Sequence, residues 1–202
     1  MSPSDALTAE LARLLAADPS VPSDVLRGGE TLRLQALFGL PDMTSFDSPA
    51  FRVYKRVWGA DWTRLGKFEG KPVLEVAGPR HYVFTQKAAA PFAFVRASGE
   101  RIEPGQMATD GGSIPRVVWC IPGFDPWSYL PAYLIHDWIF HCSRAANNLP
   151  CPWSFDVANT ILAEAMYTMM VSGYGGMAED WRRVAAVLAA VSSTFGRRAW
   201  DV

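Results

Sequence analysis

The 202-residue sequence has no long apolar run. No stretch approaches the ~18 consecutive apolar residues that a membrane-spanning helix needs. The most apolar segment, residues 130–140, is interrupted by His136 and Asp137. The N-terminus lacks a basic segment followed by an apolar one, so no secretory signal peptide is expected. Net charge is almost absent at -1, with 19 Lys and Arg against 20 Asp and Glu. That balance removes the global electrostatic case for nucleic acid, which needs a basic face. Arg182-Arg183 and Arg197-Arg198 are separate pairs and read as solvated helix faces. Cysteine is scarce and odd in number: Cys120, Cys142 and Cys151, with no C-x-x-C pair. This points to reduced thiols in a cytosolic setting. A zinc site built from these cysteines and His141 fits no standard ligand spacing.

Apolar residues make up 50% of the chain and aromatics 12%, enough for a substantial core in one domain with an added arm. Eight tryptophans are many for this size and suggest that some line a groove or an interface. Residues 1–48 read as a helical N-terminal arm. Ser4 can cap a first helix whose Leu7, Leu11, Leu14 and Leu15 share a face. The arm packs on its own domain or docks on a partner, and both remain open. Residues 49–202 read as an α+β domain, β-rich over 50–115 and helical over 127–200. Lys71–Ala77, Arg80–Gln86 and Phe92–Ala97 carry the β-branched and aromatic enrichment of strands, with Gly78-Pro79 and Ala97-Ser98-Gly99 as punctuation. Helices are predicted from about Ser128 to Cys142, Ser154 to Val171 and Ala178 to Phe195. Ser154 caps the second, and Gly196 ends the third in a left-handed conformation. Strands first and helices second give the expected class: α+β, a small antiparallel β-sheet followed by a three-helix half.

Thr109–Phe140 is the centre of this plan. Asp110 and Ser113 sit in a glycine-rich turn, whose glycines allow close backbone approach. Trp119 follows, then the apolar helix holding His136 and Asp137. Polar groups in such surroundings are costly unless paired. Neighbouring helix residues point about 100° apart, so His136 and Asp137 cannot face one point. Asp137 shares its face with Tyr133 and His141. Two arrangements fit. In the preferred one, His136 works with a carboxylate from elsewhere while Asp137 anchors the helix. In the other, Asp137 and His141 form an i, i+4 pair, as metal ligands or as an ion pair. On the second helix Asn159 and Glu164 face different ways, and one of them meets the His-Asp helix. Met166, Met169 and Met170 read as core filling. His81 reads as a half-exposed strand residue.

Several of these pieces occur in order. Thr109-Asp110-Gly111-Gly112-Ser113-Ile114-Pro115-Arg116 is followed by Trp119, then by Ala132 and His136-Asp137. Ala158, Glu164, Ala165 and Met166 come later, and Gly196 and Trp200 close the series. This combination resembles the phage-associated domain-of-unknown-function 1353 family over about residues 92–200. Phe140 stands where that family has tyrosine, and Asn159 where it usually has aspartate. Both changes keep shape and weaken a charged site. The resemblance implies a phage or phage-like context. In that context the expectations are synthesis in the host cytoplasm and virion association, and a structural role would dock residues 1–48 on other particle proteins. The His-Asp helix is also similar, over a short stretch, to the catalytic helix of secreted phospholipases A2. The paired cysteines and the calcium loop of those enzymes are absent here.

Two functions follow as expectations. One is a hydrolase acting on cell-wall or lipid material. There His136 is general base, Asp110 or Asp137 orients it, Ser113 is nucleophile or helper, and a divalent metal is held among Asp110, Asp137 and His141. Asn159, Glu164, Phe140 and Trp119 support that site. The other is a virion structural or assembly protein in which the same residues form a non-catalytic clasp. Side chains converging on an open cleft would favour the first; a closed, paired network would favour the second.

Overall fold

The computed structural model describes residues 63–79, 81–109, 127–144, 149–177, 184, 187, 188, 191, 192 and 194–201. The predicted arm, the first part of the β-rich region at 50–62, Asp110, Ser113, Trp119 and Cys120 lie outside the described residues.

Six short strands come first: β1 Lys67–Glu69, β2 Leu74–Gly78, β3 His81–Phe84, β4 Ala93–Val95, β5 Arg101–Ile102 and β6 Met107–Thr109. Helices follow: α1 Leu130–Ser143, α2 Phe155–Val171, a 3-10 turn at Tyr174–Gly176, and α3 Thr194–Trp200. The α+β class and the order of strands before helices are therefore borne out. The single predicted sheet is not. The strands form two three-stranded antiparallel sheets, ordered β1-β4-β5 and β2-β3-β6. Gln86 explains the division. Its side-chain amide donates to the Phe92 carbonyl at 2.7 Å and accepts from the Phe92 N–H at 2.8 Å. A side chain thus satisfies backbone groups that a neighbouring strand would otherwise pair. The chain leaves the second sheet after β3 and starts afresh in the first at β4. The β4–β5 hairpin turns at Gly99, whose φ of 92° suits glycine, and Arg96 N–H bonds the Glu100 carbonyl at 2.8 Å.

Alternation sets which sheet face is inner. In the second sheet Leu74, Phe84 and Met107 are in register, as are Val76, Tyr82 and Thr109. These rows share one face because side chains two apart along a strand point the same way. Phe84 and Met107 are buried on it.

The α2 helix is the central element. Every residue from Ile161 to Met170 is buried, as expected of a helix enclosed on all sides. Met166, Met169 and Met170 fill the core as predicted. Ser154 caps the helix, accepting from the Val157 N–H at 3.3 Å. The far end stops at Gly173, which has φ of 62° and donates to the Met170 carbonyl at 3.1 Å. In α1, Pro131 sits in the first turn, where no backbone donor is needed.

Of the third predicted helix, Val184, Val187, Leu188 and Val191 are described as helical and buried. The expected helix end at Gly196 is corrected: the turn comes at Ser192, and Gly196 lies inside α3. Glycine is needed there for close approach, since a Cβ would come within 1.7 Å of the Val191 carbonyl oxygen.

Candidate functional site

The two polar residues of α1 face different neighbours, as the 100° helical step requires. Asp137 faces the second sheet, where its Oδ2 accepts from the Thr109 hydroxyl at 2.7 Å. Thr109 is the last residue of β6, so this bond fixes the end of that strand against α1. His136 faces α2, with Nε2 3.1 Å from Asn159 Oδ1. An amide oxygen can only accept, so Nε2 carries the proton and Nδ1 keeps its lone pair. Phe140 and Phe155 also meet across this seam, with ring centroids 6.3 Å apart. The pairs 136/159 and 140/155 run in opposite order, so the two helices are antiparallel.

The preferred sequence arrangement is thus half realised. Asp137 anchors its helix, but among the described residues the partner of His136 is a neutral amide rather than a carboxylate. Both members are closed off, His136 at 1% exposure and Asn159 at 2%. Burial disfavours the imidazolium more than the Asn159 bond favours it, and the His136 pKa falls from 6.5 to about 4. His136 is therefore neutral at pH 7. The alternative pairing of Asp137 with His141 meets a competitor in Thr109. His141 stacks on Trp138 at 5.5 Å, and burial followed by the nearby Arg144 charge lowers its pKa.

Phe140 closes the site from below. Its ring lies 4.4 Å from the His136 ring and 5.0 Å from that of Trp200, edge-on at 87°. Trp200 also meets Phe155 at 6.0 Å, and Arg197 lies over Phe155 at 5.3 Å. The closing glycine and tryptophan of the motif thus bring α3 over the α1–α2 seam.

Glu164 does not join this group. It lies five residues beyond Asn159 and faces the first sheet. There it takes a two-pronged ion pair from Arg96 in the β4–β5 turn, at 2.7 and 2.8 Å. Arg96 also reaches Glu100 at 2.6 Å, and Trp153 Nε1 donates to Glu100 at 2.7 Å. The Glu164 hydrogen bond is the main cause that raises the Arg96 pKa. Sequence reading missed Arg96. The available signal was Glu164 itself, an acid within an otherwise apolar helix that demands a cationic partner.

Among the described residues, no three His, Cys, Asp or Glu side chains gather as a metal-binding group. Of the metal candidates, Asp137 and His141 share a helix face, and Asp110 lies outside the described residues together with Ser113 and Trp119. No described helix is long and apolar enough to cross a membrane.

Residues 87–186 match the family described as Protein of unknown function (DUF1353). The match holds every candidate residue from Asp110 to Glu164, while Gly196 and Trp200 fall beyond it. No curated protein and no solved structure matches the chain.

Proposed function

We propose that the chain, which belongs to the DUF1353 family, is a structural or assembly protein of a phage-like particle whose His-Asp motif is a non-catalytic clasp. The supporting observation is the closure of the His136–Asn159 pair: a buried, neutral imidazole whose donor is met by an amide. A general base needs a route to water or a nucleophile, and 1% exposure gives His136 none. Three polar ties then assemble the domain. Thr109–Asp137 joins the second sheet to α1, His136–Asn159 joins α1 to α2, and Arg96–Glu164 joins the first sheet to α2. The inner row of the second sheet continues outward to a surface suited to protein contact. Tyr82 meets Trp127 edge-on at 4.7 Å, and Val76 beside it is 77% exposed.

A hydrolase is the second reading, and one geometric feature favours it. Asn159 holds Nε2, which leaves Nδ1 as the basic nitrogen, and Thr109, the residue before Asp110 in sequence, bonds the same helix. Asp110, Ser113 and a divalent metal would complete that site.

The test combines turnover and location. The full chain is assayed on peptidoglycan and on phospholipid vesicles with added divalent metal, beside His136→Ala, and particles are probed for the chain and for Val76→Lys. The clasp reading expects no turnover, presence of the chain in particles, and loss of the folded Val76→Lys variant from them. Turnover abolished by His136→Ala in a folded protein overturns it.

A further inference from the structure

Two thiols bracket the connection between α1 and α2, and neither reading above uses them. Cys142 is in the last turn of α1 and is buried; Cys151 is half-buried on the approach to α2. The Cys151 sulfur lies 3.8 Å from the Ile139 carbonyl and 3.6 Å from the Trp153 carbonyl. Ile139 is three residues before Cys142, so the Cys151 sulfur lies against the turn of α1 that carries Cys142. Sulfur–carbonyl contacts this long are weak, so little holds Cys151 there. Burial pushes Cys142 up to about 11, with a smaller push from Cys151.

We propose that Cys142 and Cys151 form a redox-responsive dithiol that closes to a disulfide across the α1–α2 connection when a low-molecular-weight disulfide, such as glutathione disulfide, is present. The Cys151 thiolate attacks one sulfur of glutathione disulfide. Its S–S bond breaks, a Cys151–glutathione bond forms, and one glutathione thiolate leaves and takes up a proton. The Cys142 thiolate then attacks the Cys151 sulfur and expels the second glutathione. Two protein thiols are oxidised by two electrons, and one glutathione disulfide is reduced to two glutathione thiols. The order follows from exposure: the half-buried thiol meets the reagent, and the buried thiol resolves the adduct. Closure staples the end of α1 to the segment that enters α2, one turn from the Phe140–Phe155 contact. Through Trp153, that segment also holds Glu100 and the Arg96 cluster. Oxidation therefore tightens the helix seam that carries His136 and Asn159.

The test treats the full chain with glutathione disulfide under native conditions and follows intact mass, disulfide-mapped peptides and melting. Wild type is expected to lose two hydrogen masses with Cys142 and Cys151 in one cross-linked peptide, and to melt about 5 °C higher. The second step requires the Cys142 thiolate, so its rate rises about tenfold per pH unit below the thiol's pKa. Cys142→Ser stops at a glutathione adduct on Cys151. Cys151→Ser, whose side chain is half-exposed, keeps the fold and forms no internal disulfide. A stable glutathione adduct in wild type, a disulfide to Cys120 instead, or no reaction at either thiol overturns the proposal.

Discussion

One face of α2 is tied by a neutral pair and another by charges, five residues apart. Asn159 meets His136 amide to imidazole. Glu164 meets Arg96 carboxylate to guanidinium, with Glu100 and Trp153 completing the group. Both ties are largely removed from water, yet they respond to different stresses. The neutral pair avoids the desolvation of an ion and becomes costly when a proton is forced onto the ring, because the charge is then buried. The ion pair carries that desolvation cost and is strongly damaged when one partner is deleted, because the survivor stays charged and buried. Polar residues in an apolar helix therefore do not imply one kind of chemistry. The partner's charge decides.

Deleting half of the charged tie is the largest expected loss. Arg96→Ala leaves Glu164 unpaired in the core and should cost about 3–5 kcal/mol in denaturant unfolding. The double change Arg96→Met with Glu164→Leu should recover most of that loss, since replacing a buried pair by apolar groups is often nearly neutral. If the double variant is no more stable than Arg96→Ala, the charged tie is not a simple pair.

Acid strains the neutral tie by burying a charge. The folded-state pKa of His136 is depressed to about 4 from 6.5. Below pH 6.5 the unfolded chain takes up a proton that the folded chain refuses, so stability is complete above that pH and falls towards pH 4. The loss attributable to this histidine is on the order of 3 kcal/mol. His136→Phe should flatten this part of the pH–stability profile. An unchanged slope in the variant would mean that other groups set it. Asn159→Asp converts the neutral tie into a charged one and should raise the His136 pKa well above its wild-type value, read by ring titration.

Smaller effects separate the two sheets. Thr109→Val removes the hydroxyl given to Asp137 and should cost about 1.5 kcal/mol, with faster amide exchange in β6. Ser154→Ala removes the α2 cap and should cost about 1 kcal/mol. If Thr109→Val matches Arg96→Ala in size, the ranking of the ties is wrong.

Parts of this arrangement were legible in the sequence because they depend on local pattern. Helical spacing and the Ser154 cap placed α1 and α2 within about two residues. The angular step between His136 and Asp137 foretold that they would serve different neighbours, and one of Asn159 and Glu164 was expected to meet their helix. What failed depends on distant partners. Gln86 clamping Phe92 divides the strands into two sheets, and no alternation pattern announces a side chain standing in for a strand. Arg96 lies 68 positions from Glu164, so only the need to neutralise a buried acid hinted at it. Gly196 looked like a helix terminator, while its place is set by the approach of the Val191 carbonyl.

The central claim is that His136 is a sealed, neutral clasp. Its most direct measurement is an NMR pH titration of the His136 ring in the folded full chain, following both ring nitrogens. The account predicts a proton held on Nε2, none on Nδ1, and no protonation until the pH falls to about 4. Titration near or above 6.5, or a proton resting on Nδ1, would contradict it.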